Sequence, residues 1–287
     1  MACATPMQPE SELATTASSA LGLYKRVVKS RPLIQCITNF VSMDIMANVL
    51  LAAGASPAMA HSLDEVEDFV GISAALLINM GTLSSDWLAS KKLAAKQACA
   101  LGKPWVLDPV GCGATPIRTR ACLDMLRCKP TVVRGNASEI LALAGAAGTI
   151  KGVDSCESSH AALPLAQTLA QEHQCIVAVS GEVDYVTDGS RVLRISGGDA
   201  LLTYVTAAGC ALTALIAAFV CEAPSSPLMA TAHAMAIFKA AADGAVASIK
   251  LSGAQPGPGS FRVALLDTLY HMQHYEAHDC INIADAA

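Results

Sequence analysis

Charge is scarce in this chain. Only 15% of its residues are Asp, Glu, Lys or Arg, against 53% that are hydrophobic. Such a composition raises the question of a membrane, yet no run of about 18 apolar residues free of turns and charges occurs, so no spanning helix is expected. There is no basic stripe either. With a net charge of −5, a nucleic-acid partner is not expected. The 11 cysteines lack paired spacing, and Cys175, Cys210 and Cys221 sit inside apolar segments. In a chain of 287 residues that pattern reads as reduced thiols in a cytoplasmic compartment rather than as a disulfide framework. The opening "MACATPMQPESELATTASSA" has no apolar core and no arginine, so neither a secretory signal nor a transit peptide is expected. Residues 1–20 read as a disordered lead-in, and residues 21–287 as one domain, since no linker, repeat or low-complexity segment interrupts them.

Several catalytic signatures are also missing. No GxxxxGK[ST] is present: "LGKP" (101–104) lacks the first glycine and has Pro104 where a hydroxyl is needed. "GCGATP" (111–116) lacks the third glycine of a dinucleotide fingerprint. No GxSxG elbow supports a serine hydrolase.

What is present is an alternation of short apolar runs with helical patterns. "PLIQCIT" (32–38), "ALLINMG" (75–81), "WVLDPVG" (105–111), "TVVRGN" (131–136) and "CIVAVSG" (175–181) read as strands. Residues 86–101, 138–145 and 161–173 read as helices between them. Strands that are apolar on both faces imply a mostly parallel sheet covered by helices on both sides, an α/β fold in three α/β/α layers. "DYVTDGSRVLRIS" (184–196) alternates around an Asp-Gly turn and reads as an antiparallel hairpin at one edge. From residue 205 onward the chain reads as mainly helical.

In an open α/β sheet, ligands bind beyond the carboxyl ends of the strands. The polar residues there are Asn39, Asn79, Asp108, Arg134, Asn136, Glu139 and Ser180. Asp108, before a glycine-rich turn, suits a turn or cap ahead of a hard cation such as Mg²⁺ on this motif alone. Arg134 beside a glycine suits a phosphate. Asn136 and Glu139 have the spacing of a capping box, yet Glu139 could also join Asp108 at a metal. "HMQHYEAHDC" (271–280) contains His271, His274, His278 and Cys280 but matches no common zinc helix. "VTAAGCALTALIAAF" (205–219) places small residues and a thiol, Cys210, at the start of an apolar helix. Unpaired N–H groups and the helix dipole favour an anion at such a start, and a thiol there can have its pKa lowered until it accepts a proton.

Taken together, these blocks resemble the hydroxyethylthiazole kinases, the thiamine-salvage members of the ribokinase-like superfamily. "PLIQCITNFVSMDIMANVLLAAGASPAMA", "LDPVGCGAT", "RGNASEI", "VSGEVDYVTDG", "TAAGCALTALIAAF" and "GPGSFRVALLDTLY" occur in the family's order. The resemblance implies a ribokinase-like fold, a homotrimer with sites between subunits, and ATP with Mg²⁺ as phosphoryl donor. The acceptor it implies is the primary hydroxyl of 4-methyl-5-(2-hydroxyethyl)thiazole. Met59 would contact the thiazole, with Asn39 and Val41 supplied by the neighbouring 39–44 segment. Arg134, Asn136 and Ser180 would hold ATP, and Asp108 and Glu139 the metal. Ala207, Ala208, Gly209 and Cys210 would form the anion hole, with Cys210 nearest the hydroxyl. Two positions depart from the family pattern: Ala207 where glycine is usual and Ser180 where threonine is frequent. Two other functions compete with this one. Phosphorylation of a hydroxymethylpyrimidine would call for a more polar pocket than Met59 and Cys210 offer. A non-catalytic relative would follow if Ala207 closed the anion hole.

Overall fold

Thr16 turns the chain into its first helix: its hydroxyl accepts the Ser19 N–H at 3.2 Å, and α1 runs over Ala17–Ser30. The computed structural model describes residues 13–145, 158–276 and 279–286. The lead-in expected over 1–20 therefore ends sooner. Ala17 to Ala20 form the first turn of α1, because Ala20 and Leu21 open the apolar face that this helix buries; residues 1–12 lie outside the described residues. The chain continues through β1 (Leu33–Ile37), α2 (Met43–Ala52), β2 (Ser56–Ala58), α3 (Val66–Ile72), β3 (Ala75–Asn79) and α4 (Ser85–Ala100). Next come β4 (Trp105–Asp108), α5 (Pro116–Leu126), β5 (Val132–Asn136), α6 (Ala137–Leu143), α7 (Ser159–His173) and β6 (Ile176–Ser180). The hairpin strands β7 (Asp184–Thr187) and β8 (Val192–Ser196) follow. A 3-10 turn (Ala200–Tyr204), α8 (Ala208–Glu222), α9 (Pro227–Leu251), α10 (Pro258–Met272) and β9 (Asn282–Asp285) complete the order.

One sheet takes the strands in the order β2-β1-β3-β4-β5-β6-β7-β8-β9. The pairs from β2 to β6 are parallel and those from β6 to β9 antiparallel. The apolar runs thus form a parallel sheet as expected, and β4 stops at Asp108 because Pro109 has no N–H to donate to a ladder. Asp188 makes the hairpin turn, its Oδ1 accepting the N–H groups of Ser190 and Arg191. The hairpin is not the edge, however. β9 pairs outside β8, with Asn282 opposite Ser196 and Asp285 opposite Leu193. Four residues of mixed character after a helix carry too weak an alternation to read as a strand. β2, only three residues long, caps the other edge.

Alternate residues of each strand feed two cores. Ala75 and Leu77 pack with α1, α2, α8, α9 and α10, whereas Leu76 and Ile78 pack with α3 to α7. That is why the strands read as continuously apolar. Across the first face, the Tyr24 hydroxyl donates to the Leu269 carbonyl at 2.5 Å and ties α1 to α10. α8 is buried from Ala211 to Val220 without a break, and α9 beside it from Leu228 to Ala242. The alanines of α8 leave no room for larger side chains. Ala214→Leu is accordingly expected to lower stability by about 1–3 kcal/mol through overpacking, read as a lower urea midpoint with an unchanged slope.

Candidate active site

The parallel strands deliver their polar ends to one edge. Register sets Asn79 beside Asp108 and Asn136 beside Ser180. Asn39, just past β1, donates from Nδ2 to Asn79 Oδ1 at 2.8 Å, while its own Oδ1 accepts the N–H groups of Val41 and Ser42. Asn79 Nδ2 passes the chain on to Asp108 Oδ2 at 2.8 Å. Thr213, on α8, donates from Oγ1 to the same Asp108 oxygen at 2.9 Å. The second oxygen of this buried carboxylate, Oδ1, has no hydrogen-bond partner among the described residues. Burial pushes the Asp108 carboxyl up, while Arg134 and the Thr213 and Asn79 hydrogen bonds pull it back.

Arg134 is the cationic counterpart. Its Nη2 donates to Ser180 Oγ at 2.5 Å, and its guanidinium lies against the start of α8 at Gly209. A Cβ on Gly209 would meet Nη1 at 2.7 Å, so that position admits only glycine if the arginine is to stay. No side chain caps α8, and its N-cap Ala207 adopts the left-handed conformation at φ 60° and ψ 19°. The Ala208 N–H turns to the Val205 carbonyl at 3.2 Å. The N–H groups of Gly209 and Cys210 are left with no carbonyl partner. Here the strongest sequence expectation holds in geometry: small residues open a helix start toward the strand ends.

The thiol is shifted in the direction opposite to the one a helix start alone suggests. Cys210 Sγ lies 3.2 Å from Asn79 Nδ2, but burial pushes the thiol up to about 12, and the neighbouring Asp108 carboxylate adds to the rise. Desolvation and a like charge outweigh the helix dipole, so the shift runs toward the protonated thiol.

Glu139 has a double role. Its Oε2 accepts the Asn136 N–H and Asn136 Oδ1 accepts the Glu139 N–H, each at 2.9 Å, which completes the capping box at the start of α6. Its Oε1 accepts the Gly111 N–H at 3.0 Å and so anchors the turn after β4. Burial, with the Asp108 charge second, pushes Glu139 up to about 7, against the Asn136 and Gly111 hydrogen bonds and Arg134. Two buried carboxylates thus share one guanidinium.

Asn39, Asp108 and Cys210 are brought together, as are Arg134, Ser180 and Gly209. Met59 stands just past β2, half-buried against the core that holds α8. Val41 and its neighbour Phe40 are 62% and 68% exposed. The apolar stretch around 41–60, which on the trimer reading lies hidden between subunits, is mostly used within the chain: Ile45, Met46, Val49 and Leu50 of α2 are buried, and α2 packs on α8. In the C-terminal His/Cys cluster, His278 lies outside the described residues, and among those described no three potential ligands gather anywhere. Thr213 escaped sequence reading, although its place one turn after Gly209 is a usable signal. Asn79 was visible as a strand-end polar group, but not as the link between Asn39 and Asp108.

The geometry has clear relatives. The model of the hydroxyethylthiazole kinase family matches residues 24–275. A hydroxyethylthiazole kinase from Zea mays is 52% identical, with 88% of each chain covered. The chain belongs to the hydroxyethylthiazole kinase family. The solved structure of the hydroxyethylthiazole kinase protein from Pyrococcus horikoshii is 41% identical with a TM-score of 0.81, covering 93% of this chain and 99% of that one. A pyridoxal kinase from Staphylococcus aureus in complex with ADP shares the fold, with a TM-score of 0.55 at 19% identity over 74% of this chain and 88% of that one. The ribokinase-like α/β fold and membership of a kinase family are therefore both established.

Two outcomes follow for this family member. Ala207→Gly removes a Cβ from a left-handed position and is expected to raise stability by about 1 kcal/mol, read as a higher melting temperature. Cys210, half-buried and with its thiol pushed up to about 12, is expected to react with iodoacetamide at pH 8 far more slowly than the exposed Cys99, as followed by peptide mass spectrometry.

Proposed function

We propose that this protein transfers the γ-phosphate of ATP to the primary hydroxyl of 4-methyl-5-(2-hydroxyethyl)thiazole. The observation that carries this reading is the meeting of three features at one sheet edge. They are an uncapped helix start, a guanidinium held against it, and a buried carboxylate with a spare oxygen. Arg134 and Ser180 would hold the nucleotide, with Asn136 shaping the same strand end. The open N–H groups at Gly209 and Cys210 would meet the transferring phosphoryl, which develops charge there. Cys210 would border the acceptor hydroxyl as a neutral positioning group. Phosphoryl transfer passes through a loose transition state, in which placement and charge stabilisation outweigh a strong base. Met59 would supply apolar contact for the thiazole ring.

Asp108 fits Mg²⁺, and Glu139, both of whose oxygens accept backbone N–H groups, would act on it through water. Asp108 Oδ1 is a buried oxygen without a partner, and hard cations take carboxylate oxygens, with water and phosphate filling the remaining places. Bound there, Mg²⁺ would neutralise charge on the β- and γ-phosphates.

The site is also proposed to lie between subunits of a homotrimer. The exposed Phe40 and Val41 directly follow Asn39, and an apolar pair so placed gains from cover by a second copy. A cytoplasmic location accords with nine described cysteines that are free thiols.

A coupled ADP-release assay with a panel of alcohols tests the activity. Turnover of the thiazole alcohol, with ribose and a hydroxymethylpyrimidine inert, is the expected result; equal rates on all three would overturn the substrate. Asp108→Asn is expected to lower kcat on the order of 100-fold without unfolding. Sedimentation is expected to show a mass near three chains of 29.5 kDa, and a fully active monomer would remove the shared site.

A further inference from the structure

Lys239 sits in the middle of α9, only 6% exposed, yet it is no part of the phosphate edge described above. Its Nζ donates to the carbonyl oxygens of Glu182 at 2.9 Å, Gly197 at 3.1 Å and Gly181 at 3.2 Å. The Asp184 carboxylate lies 3.5 Å from it and itself accepts the Gly181 N–H at 2.9 Å. One turn further along α9, Asp243 Oδ2 accepts the Gly198 N–H at 2.9 Å. Two loops therefore converge on one helix: residues 181–183, between β6 and β7, and residues 197–198, after β8.

Burying an ammonium is costly, and an apolar side chain of the same length would pack α9 at least as well. What the charge adds is order in backbone that no ladder holds. Three carbonyls from two separate loops aim at one cation, the shell that a small monovalent cation gathers. The first loop begins at Ser180, the partner of Arg134. The second leads through the 3-10 turn to Ala207 and the start of α8.

We infer that Lys239 is a positioning residue for the nucleotide, whose ammonium fixes the loop beginning at Ser180 and the loop leading to the α8 start. The inference deepens the proposed kinase reading and rests on its assignment of Arg134 and Ser180 to ATP. Lys239 acts through the two loops whose carbonyls it holds. Its effect belongs in the affinity for ATP and not in the affinity for the alcohol.

Two variants test this. Lys239→Ala opens a cage for a free cation, and Lys239→Met/Asp184→Asn removes the ion pair without stranding a charge. Both are expected to raise KM for ATP by about tenfold, with kcat and KM for the thiazole alcohol changed by less than about twofold. Ammonium chloride is expected to restore the ATP KM of Lys239→Ala, while tetramethylammonium chloride at equal ionic strength does not. Arg134→Ala is measured alongside. If it raises KM for ATP and the folded Lys239 variants do not, the positioning role is overturned while the nucleotide site stands. If Arg134→Ala leaves KM for ATP unchanged, the kinase-site reading itself fails. Should Lys239→Ala not fold, the double variant decides. A parallel loss of kcat and both KM values, or failure of both variants to fold, would make Lys239 a residue of the fold alone.

Discussion

A helix buried on every side can be held in only one place, and α8 is such a helix. From Ala211 to Val220 every residue is buried, and α1, α2 and α9 close around it on one face of the sheet. Alanine and glycine make so close an approach possible, because anything larger would push the layers apart. The start of α8 therefore cannot slide along the strand ends. Its open N–H groups, the glycine against Arg134 and the threonine against Asp108 all inherit that rigidity.

The charges at this edge are arranged under the same constraint. Arg134 lowers the carboxyls of Asp108, Glu139 and Asp184, each of which burial raises. Asp184 has a second cation, Lys239, and so does not depend on the arginine alone. Among the described residues, Asp108 and Glu139 have Arg134, several N–H and O–H donors, the Cys210 thiol and each other. That imbalance favours a cationic ligand near them and an anionic one nearer Arg134 and the helix start. The same imbalance shifts Cys210 toward the protonated thiol, since a thiolate beside Asp108 would add a second buried negative charge.

Much of this was legible from short-range pattern. The runs at 32–38, 75–81, 105–111, 131–136 and 175–181 are strands because both of their faces are apolar, a feature that needs no partner to be seen. The helix after β5 begins at Asn136 because the capping box is local chemistry over four residues. β9 and β2 were not legible. Each is short and becomes a strand only because a neighbouring edge offers it hydrogen bonds. The N-terminal boundary was also misplaced, since the apolar stripe of α1 is thin until its partner α9 is in view.

The residues themselves determined which groups stand at the strand ends, because strand length and turn residues decide where Asn39, Asp108, Arg134, Asn136 and Ser180 fall. They determined as well that α8 would start with an open, small-residue turn. Only the tertiary structure decided what those groups do to one another. A dipole argument drawn from the helix start alone lowers the Cys210 thiol, but burial and the nearby Asp108 raise it, and both depend on elements distant in the chain. Thr213 meets Asp108 across 105 positions, and Lys239 meets Gly181 across 58. Contacts of that range leave no trace in local periodicity, because nothing at either position alone specifies the partner that packing will bring.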